Sequence, residues 1–178
     1  MKILNYIKGK FNEPISSEWM DNFSPSTGEV IGSIPLSGDA DVRSAIAAAK
    51  SALPEWSSLD PSDRALWLDK IADCLEEKFE EIAHLESMDT GKPISLARSV
   101  DARRSVSNFR FFSEMIRDRE DEVFEMEDAT NIVKLRAVGV GALITPWNLP
   151  LYLLSWKVAP AIAMGNTVVC KPSELTTL

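Results

Sequence analysis

From Met1 to Pro35 apolar and polar residues alternate loosely, as in Tyr6-Ile7-Lys8-Gly9-Lys10-Phe11, with no helical period. Turn clusters at Asn12-Glu13-Pro14 and Ser24-Pro25-Ser26-Thr27-Gly28 divide that stretch, so it predicts short antiparallel strands. The period then changes. Val42, Ile46, Ala49 and Leu53 recur at threes and fours behind Asp39, a plausible N-cap. Asp60, Pro61 and Asp63 open a second helix. The first can accept from free backbone N–H groups, proline is preset for a first turn, and a carboxylate there favours the positive end of the helix dipole. Leu68, Ala72, Leu75, Phe79 and Ile82 form one apolar stripe, and Gly91 and Pro93 end it. A third helix is predicted over residues 95–117, carrying Leu96, Val100, Phe109, Phe112 and Ile116.

Residues 118–128 read as an acidic connector. Residues 131–138 alternate and predict a half-buried or edge strand. Residues 138–144 are continuously apolar, as in a buried parallel strand. Residues 152–164 predict a helix and residues 166–170 a second buried strand. Strand, helix, strand in that order opens a doubly wound sheet, so the fold class is α/β, with a Rossmann-like parallel sheet preceded by short antiparallel strands. A parallel sheet needs both faces covered and more strands than two. The expectation is therefore that the chain, whose last residue is Leu178, breaks off in mid-fold.

Composition narrows the function classes. A length of 178 residues with 45% hydrophobic content suits one globular unit. A net charge of −8 argues against nucleic acid and against anionic membrane surfaces. Residues 137–156 carry no charge, but Gly139, Gly141, Pro146, Asn148 and Pro150 interrupt them. Such breaks would leave backbone groups unpaired in lipid, so a membrane span is rejected. Cys74 and Cys170 form no CxxC pair and His84 is the only histidine, so no metal site is expected. Both cysteines read as small core residues and His84 as a solvated one. With no signal peptide in the first residues, the default is a cytoplasmic protein.

Gly139-Val140-Gly141 lacks the third glycine of a dinucleotide fingerprint, Ile144 standing in its place, so these glycines read as packing residues. Thr145-Pro146-Trp147-Asn148-Leu149-Pro150 carries more chemistry, because α/β proteins place ligands where a parallel strand gives way to a helix. Two prolines stiffen the backbone around Asn148, whose amide could face a developing oxyanion. The competing reading is a turn residue bonded to its own backbone. Lys171-Pro172-Ser173-Glu174 ends the following strand. Its lysine and glutamate suit ribose hydroxyls, or else form a plain solvated ion pair.

Taken together, the runs Thr145 to Leu151, Trp156 to Ala161, Gly165 to Val169 and Lys171 to Glu174 resemble the aldehyde dehydrogenase superfamily. Ser24 to Glu29, Ala48-Ala49-Lys50 with Trp56, and Glu86 to Lys92 match it too, so the resemblance covers essentially the whole chain. It implies that Asn148 helps bind the oxyanion, that Ile144, Thr145, Pro146 and Trp147 line the cofactor cleft, and that Lys171 and Glu174 hold the adenosine ribose with Ser173 nearby. It implies NAD as cofactor, with NADP disfavoured because Glu174 would repel a 2′-phosphate. Ser105 to Phe112 and Leu149 to Leu154 most resemble the branch acting on aminomuconic or hydroxymuconic semialdehydes, whose carboxylate Arg104 or Arg110 could pair, with Arg104 preferred to Arg110 and a plain surface arginine as the competing reading.

On the same resemblance, residues 1–123 are the N-terminal strands and helices of the NAD-binding domain. Residues 124–138 are an oligomerisation-arm strand, and residues 139–178 the first strand–helix–strand of the sheet. The full-length form is implied to be a homo-oligomer. The family's nucleophilic cysteine and its glutamate base lie beyond Glu174, which implies an inactive piece of an oxidoreductase. The alternative is a non-catalytic nucleotide-binding or oligomerisation module derived from that family.

Overall fold

A computed structural model describes residues 1–178. Strands β1 (Asn5–Ile7) and β2 (Lys10–Asn12) form an antiparallel hairpin. Its turn residues Lys8 (φ 54°) and Gly9 (φ 73°) both take the left-handed conformation that matches strand twist in a two-residue turn. Strands β3 (Trp19–Phe23) and β4 (Val30–Pro35) pair antiparallel as well, as the alternation predicts.

Helix α1 (Asp39–Ser58) follows. Its N-cap is Gly38 rather than Asp39, because Asp41 supplies the capping carboxylate. That group accepts from Gly38 N–H at 3.0 Å and from Ile15 N–H at 3.0 Å, which also ties the helix to the N-terminal strands. The single stripe expected next is two helices, α2 (Pro61–Glu77) and α3 (Phe79–Thr90). The backbone turns at Lys78, so Phe79 and Ile82 leave the α2 core and pack instead with Ala83, Ala97 and Ala102. Gly91 caps α3 at φ 72°, and a Cβ there would meet Pro25 Cγ at 2.9 Å. The third predicted helix is α4 (Ile94–Leu96), a π-helical turn (Ala97–Ala102) and α5 (Arg103–Arg117).

Helix α6 (Pro150–Ala163) packs against α2 and α5 around Leu68, Phe109 and Ile116. Ala65, Ala72, Ala159 and Ala163 line the same core, and their small side chains let the helices approach closely. Strands β7 (Val140–Ile144) and β8 (Thr167–Lys171) flank α6 in sequence and pair parallel, the arrangement predicted from strand–helix–strand order.

Three expectations need correction. The acidic connector contains a strand, β5 (Glu122–Glu125), which pairs with β6 (Thr130–Val133) as a hairpin exposed along both strands. Glu122 and Glu125 flank Val123 and Phe124 without breaking the strand. The first parallel strand starts at Val140, two residues late, and is only half-buried. Gly139 does not serve packing: nothing lies within 4 Å of its Cβ position, and its φ of 135° is what requires glycine.

Candidate active site

The parallel ladder brings the two sequence motifs together. Ile144 is in register with Lys171, and Thr145 N–H donates to Lys171 O at 3.2 Å. The bend from Thr145 to Leu149 therefore starts beside the end of β8, at the carboxyl ends of both strands. Just before it, Ile144 is 66% exposed, and within it Trp147 is 57% exposed while Pro146 and Asn148 also face solvent. Thr145 alone is buried, and its hydroxyl oxygen has no partner. The Asn148 amide makes no intramolecular hydrogen bond, so it is not tied into a side-chain turn of its own. Lys157 reaches back from α6 to the Ile144 carbonyl, closing the bend from the helix side.

At the end of β8, Lys171 Nζ donates to Glu174 Oε2 at 2.6 Å. That bond holds the exposed Glu174 carboxyl below the usual range, so it stays ionised. Ser173 differs from its neighbours. It is buried, and its hydroxyl accepts from Leu175 N–H at 3.2 Å, forming the turn after the strand.

A buried ionic cluster lies under the bend. Lys92 Nζ donates to Asp101 Oδ1 at 2.7 Å and to the Asn148 carbonyl oxygen at 3.2 Å, with Glu86 Oε2 at 3.7 Å. Asp101 is wholly buried, aimed inward by the π-helical turn. Glu86 Oε1 accepts from Leu151 N–H at 2.9 Å, satisfying an otherwise unpaired donor in the first turn of α6. Burial pushes the Glu86 carboxyl up, against the opposing pulls of Leu151 N–H and Lys92. Sequence reasoning saw Glu86 and Lys92 only as parts of a matching run. Their distances in sequence from Asn148 give no signal of contact.

The two candidate arginines separate clearly. Arg110 bonds Asp73 and pairs with Glu76 at 3.3 Å and Asp69 at 3.6 Å on α2, and the Asp73 bond raises its pKa. Arg104 is exposed and has no ionic partner. Asn108, one turn later on α5, donates to Tyr152 O at 3.3 Å and to Ser155 Oγ at 2.9 Å in the first turns of α6. Phe112, one turn later again, meets Trp156 with ring centroids 6.2 Å apart. The helices thus run side by side in one direction, so Arg104, in the first turn of α5, lies towards the end of the pair at which α6 also starts.

Both cysteines are exposed, not core residues as expected. Cys74 falls off the buried stripe of α2, and Cys170 lies where β8 runs out towards solvent. The protein packed around the Cys170 sulfur still pushes its thiol pKa up, the wrong direction for a nucleophile. No group of His, Cys, Asp and Glu could hold a metal ion. No helix is long and apolar enough to cross a membrane.

Residues 11–178 match the model of the aldehyde dehydrogenase family. The chain belongs to that family. It is 51% identical over 176 residues to 2-aminomuconic semialdehyde dehydrogenase of Bos taurus, covering 98% of this chain and 36% of the relative. It is 40% identical to 2-hydroxymuconic semialdehyde dehydrogenase of Pseudomonas sp. strain CF600, covering 99% of this chain and 38% of that protein. Among solved structures, PnpE in complex with nicotinamide adenine dinucleotide superposes with a TM-score of 0.94 at 43% identity, over 99% of this chain and 36% of that one. The chain therefore spans little more than a third of the aldehyde dehydrogenases it matches.

Proposed function

We propose that this chain is the N-terminal portion of an NAD-dependent dehydrogenase that oxidises an aldehyde, a carboxylated semialdehyde, to the acid. The observation that carries the reading is the solvent-facing Asn148 amide on a fixed bend whose base is bonded to the end of β8, where Lys171 and Glu174 stand. The name of the NAD-bound relative and the semialdehyde names of other relatives support the cofactor and substrate class.

Asn148 donates to the oxygen of the reacting carbonyl as negative charge develops there. Lys171 and Glu174 hold the adenosine ribose, with Ile144, Thr145, Pro146 and Trp147 along the same cleft and Ser173 shaping the turn behind it. The exposed Lys171–Glu174 pair supplies donors and acceptors of the kind a nucleotide needs. Held by these residues, NAD would supply the hydride-accepting chemistry of the oxidation. Glu174 disfavours NADP by repelling a 2′-phosphate. Arg104, exposed in the first turn of α5 and free of ionic partners, takes the substrate carboxylate. Burial disfavours the Cys170 thiolate, and the chain spans little more than a third of its relatives, so the chain alone is inactive and the attacking thiol and the base are supplied by the remainder of the enzyme.

One set of assays on the full-length enzyme tests this, using a carboxylated semialdehyde and an uncharged aldehyde with NAD or NADP. Asn148→Ala is expected to lower kcat about a hundred- to a thousandfold on both aldehydes. Arg104→Ala is expected to raise KM for the carboxylated substrate alone, and the wild type to prefer NAD. Unchanged turnover by Asn148→Ala refutes the oxyanion role, and equal effects of Arg104→Ala on both aldehydes refute the carboxylate contact.

A further inference from the structure

The catalytic reading needs Asn148 held in one orientation, yet its side chain bonds nothing within the chain. What fixes it must act on the backbone. Two prolines limit φ at positions 146 and 150, but neither anchors the bend to the rest of the molecule. The anchors come from distant elements. The Asn148 carbonyl itself accepts from Lys92 Nζ at 3.2 Å, and three residues on Leu151 N–H donates to Glu86 at 2.9 Å. Lys92 is in turn held by Asp101 at 2.7 Å.

We propose that Lys92, seated between Asp101, Glu86 and the Asn148 carbonyl, is a positioning residue that aims the Asn148 amide at the reacting oxygen. This deepens the function proposed above and rests on it. A lysine ammonium has three donors and no acceptor. Here it faces three acceptors, contributed by α3, the π-helical turn and the bend. Its side chain is only 10% exposed, so solvent screens these bonds little. Asp101 is brought to face the lysine by the local widening of the π-helical turn, a feature common where function constrains a helix. Glu86 completes the grip from the other side by holding the first turn of α6. A carbonyl and an amide three residues apart are thus fixed to one buried cluster, which sets the peptide planes of the bend and with them the direction of the Asn148 side chain.

The test uses the full-length enzyme and four variants: Asn148→Ala, Lys92→Met, Lys92→Met with Asn148→Ala, and Lys92→Met with Asp101→Asn. Lys92→Met is expected to lower kcat by up to about a hundredfold, the scale of a small misplacement at a reacting group. KM for NAD is expected to stay unchanged. If Lys92 acts only through Asn148, its loss adds nothing once the amide is gone, so the Lys92→Met/Asn148→Ala enzyme turns over no more slowly than Asn148→Ala. Lys92→Met/Asp101→Asn leaves no unpaired charge at position 101 and guards against simple misfolding, so it is expected to show the same fall in kcat. Independent, multiplying losses in the Lys92→Met/Asn148→Ala enzyme overturn the positioning role while leaving the oxyanion role standing. Wild-type kcat in either Lys92 variant that retains Asn148 overturns it equally. Full activity in Asn148→Ala overturns the oxyanion role first, and the positioning role with it.

Discussion

Glu86 shows how one buried side chain serves structure at an electrostatic disadvantage. Its carboxyl gains a bond from Leu151 N–H and the field of Lys92, both of which favour the ionised form. Desolvation outweighs them, and the carboxylates of Asp101 and Asp89 add to it, so the native carboxyl lies above the ordinary 4.5. The native state then binds a proton more tightly than the unfolded chain. Such a group contributes stability that is full below the unfolded pKa and is lost as pH rises through the native one. Glu86→Gln keeps an oxygen for Leu151 N–H and removes the titration. Wild-type melting temperature is therefore expected to fall more steeply than that of Glu86→Gln as pH rises above 4.5. Parallel melting profiles for the two proteins would overturn this account.

At the scale of elements, the β5–β6 hairpin stands apart. Antiparallel pairing sets Val123 opposite Ile132 on one face, and Phe124 and Val133 fall on the other. All four are exposed, Phe124 by 53% and Ile132 by 52%. Apolar residues on both faces of a two-stranded ribbon are more than a solvated loop needs, and an isolated hairpin is marginal without something to pack on. We propose the hairpin as the arm through which copies of the full-length enzyme associate. Placing Glu at Phe124 and Lys at Ile132 puts a charge on each face. Sedimentation of that full-length variant is expected to show a smaller assembly than the wild type, and an unchanged mass would refute the arm. The π-helical turn illustrates the reverse case. It interrupts an otherwise regular helix in order to bury Asp101, which no period of apolar residues could signal.

For the whole molecule, the sequence determined whatever depends on near neighbours. The hairpins of the first residues, the start of α2 at Pro61, where Asp60 stands at the N-cap but its side chain makes no capping bond, the glycine stop after α3 and the strand–helix–strand order of residues 140–171 follow from turn chemistry, propensity and apolar period, which act over a few residues. The runs around Asn148 and Lys171 stood out locally, at the ends of two successive strands, but their residue chemistry alone favoured a plain turn and a solvated ion pair, and only the family resemblance gave them roles. Tertiary structure decided what depends on residues meeting across the fold. It split one apolar stripe into α2 and α3, because Phe79 and Ile82 found a second small core. It exposed both cysteines, since the buried side of a helix or strand is set by its neighbours and not by its composition. It committed Arg110 to the acids of α2 and left Arg104 free. It also joined Glu86, Lys92 and Asp101 beneath the Asn148 bend, because buried charges choose partners by distance in space, a quantity the order of residues does not contain.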